Sequence, residues 1–190
     1  MAPLPQEQRY TYADLLEWND NTRYELYDGV PIALASPSNV HQEICMALSA
    51  QIYNYLRGKK CKIYPAPFDV RLFEEKNDSP EDVTVVVQPD ISVICDSSKT
   101  DGHGCKGAPD MVIEVTSPST ARYDKLLKFN LYQRAGVREY WIVDPAARVV
   151  SVFALENGKY QAAAYGADAS VRVGILDDCT IDLSMVFPEI

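Results

Sequence analysis

The chain has 190 residues, 47% of them hydrophobic and 24% charged, enough for one domain with a real core and too few for two comfortable ones. Its apolar runs fall short of the roughly 18–20 residues that span a bilayer, and the first ten residues show no basic stretch leading into an apolar one. Neither a membrane span nor a signal peptide is therefore expected, and a cytoplasmic protein is the default. The net charge of −9 counts against broad binding of nucleic acid, which needs local Lys and Arg.

Two basic clusters qualify that charge: Arg57, Lys59, Lys60 and Lys62, then Arg122, Lys125, Lys128, Arg134 and Arg138. Both read first as solvated helix ends and faces. The five cysteines, Cys45, Cys61, Cys95, Cys105 and Cys179, are odd in number and contain no C-x-x-C pair. That pattern argues against a disulfide scaffold or a structural zinc site and fits a reducing compartment. Cys95, His103 and Cys105 make only a partial zinc site, one ligand short.

Along the chain, Thr11 can cap a short helix reaching Trp18. Residues 24–35 read as a hairpin turning at Asp28-Gly29. Ser38 or Asn39 caps a helix over about 41–57, where Ile44, Leu48, Ile52 and Tyr55 recur at helical spacing. Strands are expected near 61–72, 84–94 and 110–116. Glu74 to Asp82 reads as a solvated acidic loop, and Asp101 to Gly107 as a second, flexible one. A helix starts at Ser117–Thr120, runs to about Ala135 and stops at Gly136. Glu139–Asp144 is a compact apolar strand, and Val149–Leu155 with Lys159–Ala164 forms a hairpin across Asn157-Gly158. This order predicts an α+β, or mixed α/β, domain on one central sheet, spanning 1–190 with residues 1–9 flexible.

Two acids stand in segments otherwise fit for burial: Asp90 in Val87-Gln-Pro-Asp90, and Glu114 in Asp110-Met-Val-Ile-Glu-Val115. A buried carboxylate is costly unless paired, hydrogen-bonded or metal-bound. Asp110 and Glu114 share a strand face but lie about 13 Å apart at roughly 3.3 Å per residue, too far for one small cation. Asp90 belongs to the preceding strand, and neighbouring strands are only about 5 Å apart. Asp90 and Glu114 can therefore meet at one ion, leaving Asp110 as a strand-entry residue. Ion pairs with nearby Lys or Arg are the alternative for both acids. An oxygen-rich site favours Mg²⁺ or Mn²⁺ over zinc.

Pro89-Asp90 followed by Glu114-Val115-Thr116 resembles the PD…(D/E)-x-K signature of the restriction-endonuclease-like superfamily. More closely, Arg23-Tyr-Glu-Leu-Tyr-Asp-Gly29, Val87-Gln-Pro-Asp90, Pro109-Asp-Met-Val-Ile-Glu-Val-Thr-Ser-Pro118 and Gly136-Val-Arg-Glu-Tyr-Trp-Ile-Val-Asp-Pro145 resemble the Uma-type endonuclease family over roughly residues 10–188. The resemblance implies a restriction-endonuclease-like core with added terminal hairpins, and metal-dependent hydrolysis of phosphodiester bonds in nucleic acid, most of all DNA. A nuclease-fold binding or regulatory protein without activity, or a phosphohydrolase of small molecules, is the alternative. Cutting both strands of a duplex suits a homodimer, although no interface is legible.

The superfamily's lysine is missing, because Thr116 stands two residues after Glu114. Asp124-x-x-x-Lys128-x-x-x-Tyr132 resembles the family's D-x-x-x-K-x-x-x-Y pattern and implies that the lysine has migrated to Lys128. Helical geometry also favours it: at about 100° per residue, Lys128 falls between Ala135 and Tyr132, among packing residues. Lys125 is the runner-up, and an Asp124–Lys128 surface pair the alternative. The expected catalytic set is thus Asp90, Glu114 and Lys128, with Lys128→Ala abolishing cleavage but sparing folding and metal affinity. The resemblance adds the Val115 carbonyl as a metal ligand. Glu25, from the first motif, either completes the metal shell or pairs with Arg23 or a core lysine. His41 either contacts phosphate or water, or only caps its helix.

Overall fold

The computed structural model describes residues 8–116 and 123–188, and in the second span the side chains from Leu126 onward. Thr11 caps helix α1 (Tyr12–Glu17), its amide and hydroxyl both donating to the Asp14 carboxylate. Strands β1 (Tyr24–Tyr27) and β2 (Val30–Ala33) form the expected hairpin. Its turn residues, Asp28 and Gly29, both have positive φ, which matches the twist of the strands it joins. The Ser38 hydroxyl accepts the His41 amide and caps helix α2 (Asn39–Leu56), whose Ile44, Leu48, Ile52 and Leu56 make one buried stripe.

The long strand expected over 61–72 is two short ones, β3 (Lys62–Pro65) and β4 (Val70–Arg71), with a cis Ala66–Pro67 bond between them. The 84–94 segment contributes isolated bridges at Val86 and Val87 before β5 (Ile91–Ile94). Asp101–Gly107 is not a free loop: β6 (Thr100–Asp101) and β7 (Gly104–Lys106) pair with each other, and β7 pairs with β4. Nor is Glu74 solvated like the rest of its loop. It is buried against Arg71 and Lys106. Then follow β8 (Met111–Val115), helix α3 (Tyr123–Ala135), β9 (Glu139–Asp144), β10 (Val149–Glu156) and β11 (Lys159–Gly166). A small pair, β12 (Ser170–Arg172) and β13 (Thr180–Asp182), completes the order.

The central sheet runs β11-β10-β9-β8-β5-β3. Only β8 and β9 are parallel in it, and α3 supplies the crossover that parallel neighbours need. Strand alternation sorts the sheet residues onto two layers. Ile91, Val93, Met111, Ile113 and Val115 pack with the α2 stripe, while Val112, Tyr140 and Ile142 pack with Leu131 and Tyr132 of α3. The expected mixed α+β architecture, a central mixed sheet between helices, is what the chain forms. Among the described residues no helix is long and apolar enough to cross a membrane.

The cysteine expectation requires correction. Cys61 and Cys95 stand one step beyond the Lys62–Ile94 pair of the β3–β5 ladder, and a disulfide joins them. Their proximity comes from a ladder register between segments distant in sequence, which spacing does not reveal. The bond also takes Cys95 out of the partial zinc set. Cys45, Cys105 and Cys179 are free thiols.

Candidate active site

The β5–β8 ladder places Ile91 opposite Ile113, so Asp90, one residue before β5, stands beside Glu114. The sheet's antiparallel register thus gathers two acids from different strands at one end. Asp90 sits between the β8 backbone and helix α2. Its Oδ2 accepts the Val115 amide at 2.8 Å and lies 3.0 Å from His41 Nε2 in the first turn of α2. That hydrogen bond outweighs burial and holds the His41 imidazole above its ordinary pKa. His41 is therefore more than a capped helix residue, since its ring faces an acid of the site.

Glu114 faces the other layer. Its Oε1 accepts Lys128 Nζ at 2.9 Å and the Tyr132 hydroxyl at 2.6 Å, both from α3. Lys128 also lies 2.9 Å from Glu25 Oε1 on β1. Glu25 thus pairs with a core lysine. Both its oxygens are committed, Oε1 also to the Gln88 amide and Oε2 to the Tyr27 hydroxyl. Burial by itself would lower the Lys128 pKa, but Glu114 and Glu25 raise it well above the ordinary value. Lys128 therefore points at the acids rather than at solvent. The Asp124 and Lys125 side chains, and Arg122, lie outside the described residues, as do Ser117–Thr120 and residues 1–7.

Asp110 behaves as a strand-entry residue, its carboxylate accepting the Cys95 amide and pairing with Arg138. Glu25 and Glu114 thus share one ammonium, and the Asp90 carboxylate adds its charge beside Glu114. Burial first, then repulsion from Asp90 and Glu25, pushes the Glu114 carboxyl up to about 7 despite Lys128. Among the described residues, one oxygen each of Asp90 and Glu114 accepts no hydrogen bond. A hard divalent cation, which takes oxygen donors and offsets surplus negative charge, fits this set.

A family model described as "Uma2: Putative restriction endonuclease" matches residues 10–184. The chain belongs to the Uma2 family. It is 28% identical over 155 residues to the uncharacterized protein slr1290 of Synechocystis, across 80% of this chain and 76% of that protein. A crystal structure titled as a "putative nuclease belonging to DUF820", from Anabaena variabilis, has a TM-score of 0.72 at 18% identity, covering 93% of this chain and 97% of that one. The two share the fold.

Within this Uma2 fold, sequence reasoning gave no role to four residues that shape the site: Tyr27, Cys45, Gln88 and Tyr132. Tyr132 follows Lys128, and Cys45 follows His41, by one i,i+4 step on a helix, a signal visible in the sequence. Tyr27 shares a strand face with Glu25, two residues before it, whereas Gln88 meets Glu25 only through the bridge that joins β1 to Val86.

The Glu114 environment carries a stability signature. A carboxyl raised in the fold from 4.5 to about 7 binds its proton more tightly folded than unfolded, so the fold loses stability as pH rises through that window. Glu114→Gln should accordingly be more stable than wild type at pH 8 in chelator, with the gap closing toward pH 5. Urea melts at the two pH values check this, and a pH-independent gap would show that Lys128 fully compensates the buried charge.

Proposed function

We propose that the chain is a divalent-metal-dependent endonuclease that hydrolyses phosphodiester bonds in DNA. The observation carrying this is the surplus of carboxylate over ammonium at one end of the sheet, with an uncommitted oxygen on both Asp90 and Glu114. In this reading Asp90, Glu114 and the Val115 carbonyl hold Mg²⁺ or Mn²⁺. Such an ion, when bound, polarises a phosphoryl oxygen and lowers the pKa of a bound water. Lys128 offsets negative charge building on the phosphate and orients the attacking water. Glu25 is a positioning residue that holds the Lys128 ammonium, and Tyr132 fixes the Glu114 carboxylate. His41 orients Asp90. Scission of both strands suits two copies of the chain.

The test is plasmid cleavage by the full chain in Mg²⁺ or Mn²⁺, with chelator as control. Nicked and linear product should form only with the metal, and Glu114→Gln should cut the rate by about 10²-fold or more, the typical cost of removing a transition-state electrostatic contact. Absence of cleavage on duplex DNA, or equal rates for the two proteins, would overturn the reading.

A further inference from the structure

On the α2 side of the site stands a donor set that a magnesium centre does not require. His41 and Cys45 are one i,i+4 step apart on α2, so they share a helix face. Cys45 Sγ lies 3.6 Å from His41 Nδ1, while His41 Nε2 lies 3.0 Å from Asp90. One donor atom each from His41, Cys45 and Asp90 falls within 4.8 Å of the others, and all three residues are half-buried. We propose that these residues form a binding site for a borderline divalent cation of the zinc type, adjoining the acid pair and sharing Asp90 with it.

Imidazole nitrogen, thiolate and carboxylate together are zinc-class ligands, whereas Mg²⁺ takes oxygen. Tetrahedral coordination at zinc bond lengths puts donors about 3.4–3.8 Å apart, so this set closes on an ion with movements of about 1 Å. Three protein donors leave a fourth position open to water. Burial keeps the Cys45 thiol protonated, since it pushes the pKa well up, with Asp90 and Glu114 adding to the effect. An arriving cation displaces that proton to solvent as the sulfur–metal bond forms, because a coordinated thiol is deprotonated outright. The His41–Asp90 hydrogen bond gives way to the ion at the same step. The inference goes beyond the nuclease reading and shares Asp90 and its neighbour His41 with it.

Cobalt(II) reports on such a site without any cleavage assay. Titrated anaerobically into the full chain, it should produce at one equivalent a near-ultraviolet sulfur-to-cobalt band and tetrahedral visible bands, both removed by Zn²⁺. Cys45→Ala should lose the sulfur band, and His41→Asn should weaken cobalt binding by about 10²-fold, more than a change outside the ligand shell costs. Cys45→Ser, with circular dichroism to confirm folding, guards against a misfolded alanine variant. Glu114→Gln should keep the band, since Glu114 lies outside the donor set. No band in wild type overturns the inference, as does a band that survives Cys45→Ala, which would belong to Cys105 or Cys179. A band lost in Glu114→Gln overturns it too. A protein that fails to cut DNA but gives the Cys45-dependent band defeats the nuclease reading alone, and the reverse pattern defeats the zinc-type site alone.

Discussion

Lys128→Ala should cost the protein both its cleavage and much of its stability. The ammonium is the shared partner of Glu25 and Glu114, 2.9 Å from each. Removing one partner of a buried ion pair leaves an uncompensated charge and costs about 3–5 kcal/mol. Here two carboxylates are orphaned at once. The sequence-based expectation that Lys128→Ala would spare folding is thereby corrected, because the lysine holds the acids together as well as facing the site. Urea denaturation at pH 8 should show the loss, and it should shrink at pH 5, where the orphaned Glu114 takes up a proton. Lys128→Arg should recover little of either property, since a planar guanidinium does not replace a compact ammonium in a closed pocket. A fully stable Lys128→Ala protein would mean that the double pair contributes nothing net, and an active one would end the catalytic assignment.

Asp90→Asn separates chemistry from folding more cleanly. The amide oxygen can still accept the Val115 N–H, so the strand end keeps its hydrogen bond. The negative charge disappears, and with it the charge that would hold Mg²⁺ or Mn²⁺. Cleavage should fall by about 10²–10³-fold, with stability changed by no more than about 1 kcal/mol. Calorimetric titration with Mn²⁺ should show binding by wild type and none by the variant at the same concentrations. Equal heats from the two proteins would place the ion elsewhere.

Local physics made much of this chain legible. Helix α2 could be read from its apolar stripe and Ser38 cap, β8 from its Val and Ile run, and the β10–β11 hairpin from Asn157-Gly158, whose positive φ values suit the turn. The adjacency of Asp90 and Glu114 was legible from parity and strand spacing. What escaped depended on partners far along the chain. Cys61 and Cys95 are ordinary scattered cysteines until β3 and β5 set their register. Glu25 had two credible fates until the bridge between Leu26 and Val86 brought it to Gln88 and Lys128. Strands β12 and β13 are three residues each, too short for a period to show.

The bridge that Lys128 makes between Glu25 and Glu114 also bears on how the chain folds. Its three members come from the first hairpin, the middle of the central sheet and the crossover helix. A partly folded chain lacking any one of them holds charged groups that must stay in water. Burial of this end of the sheet therefore has to await the arrival of all three, and contacts so distant in sequence form slowly because their loops must close first. Conversely, peeling the β1–β2 hairpin away strips Glu25 from the lysine and lets water into the end of the sheet. Local opening of that hairpin and loss of the assembled site become one event, so amide protection in β1 and competence of the site should rise and fall together.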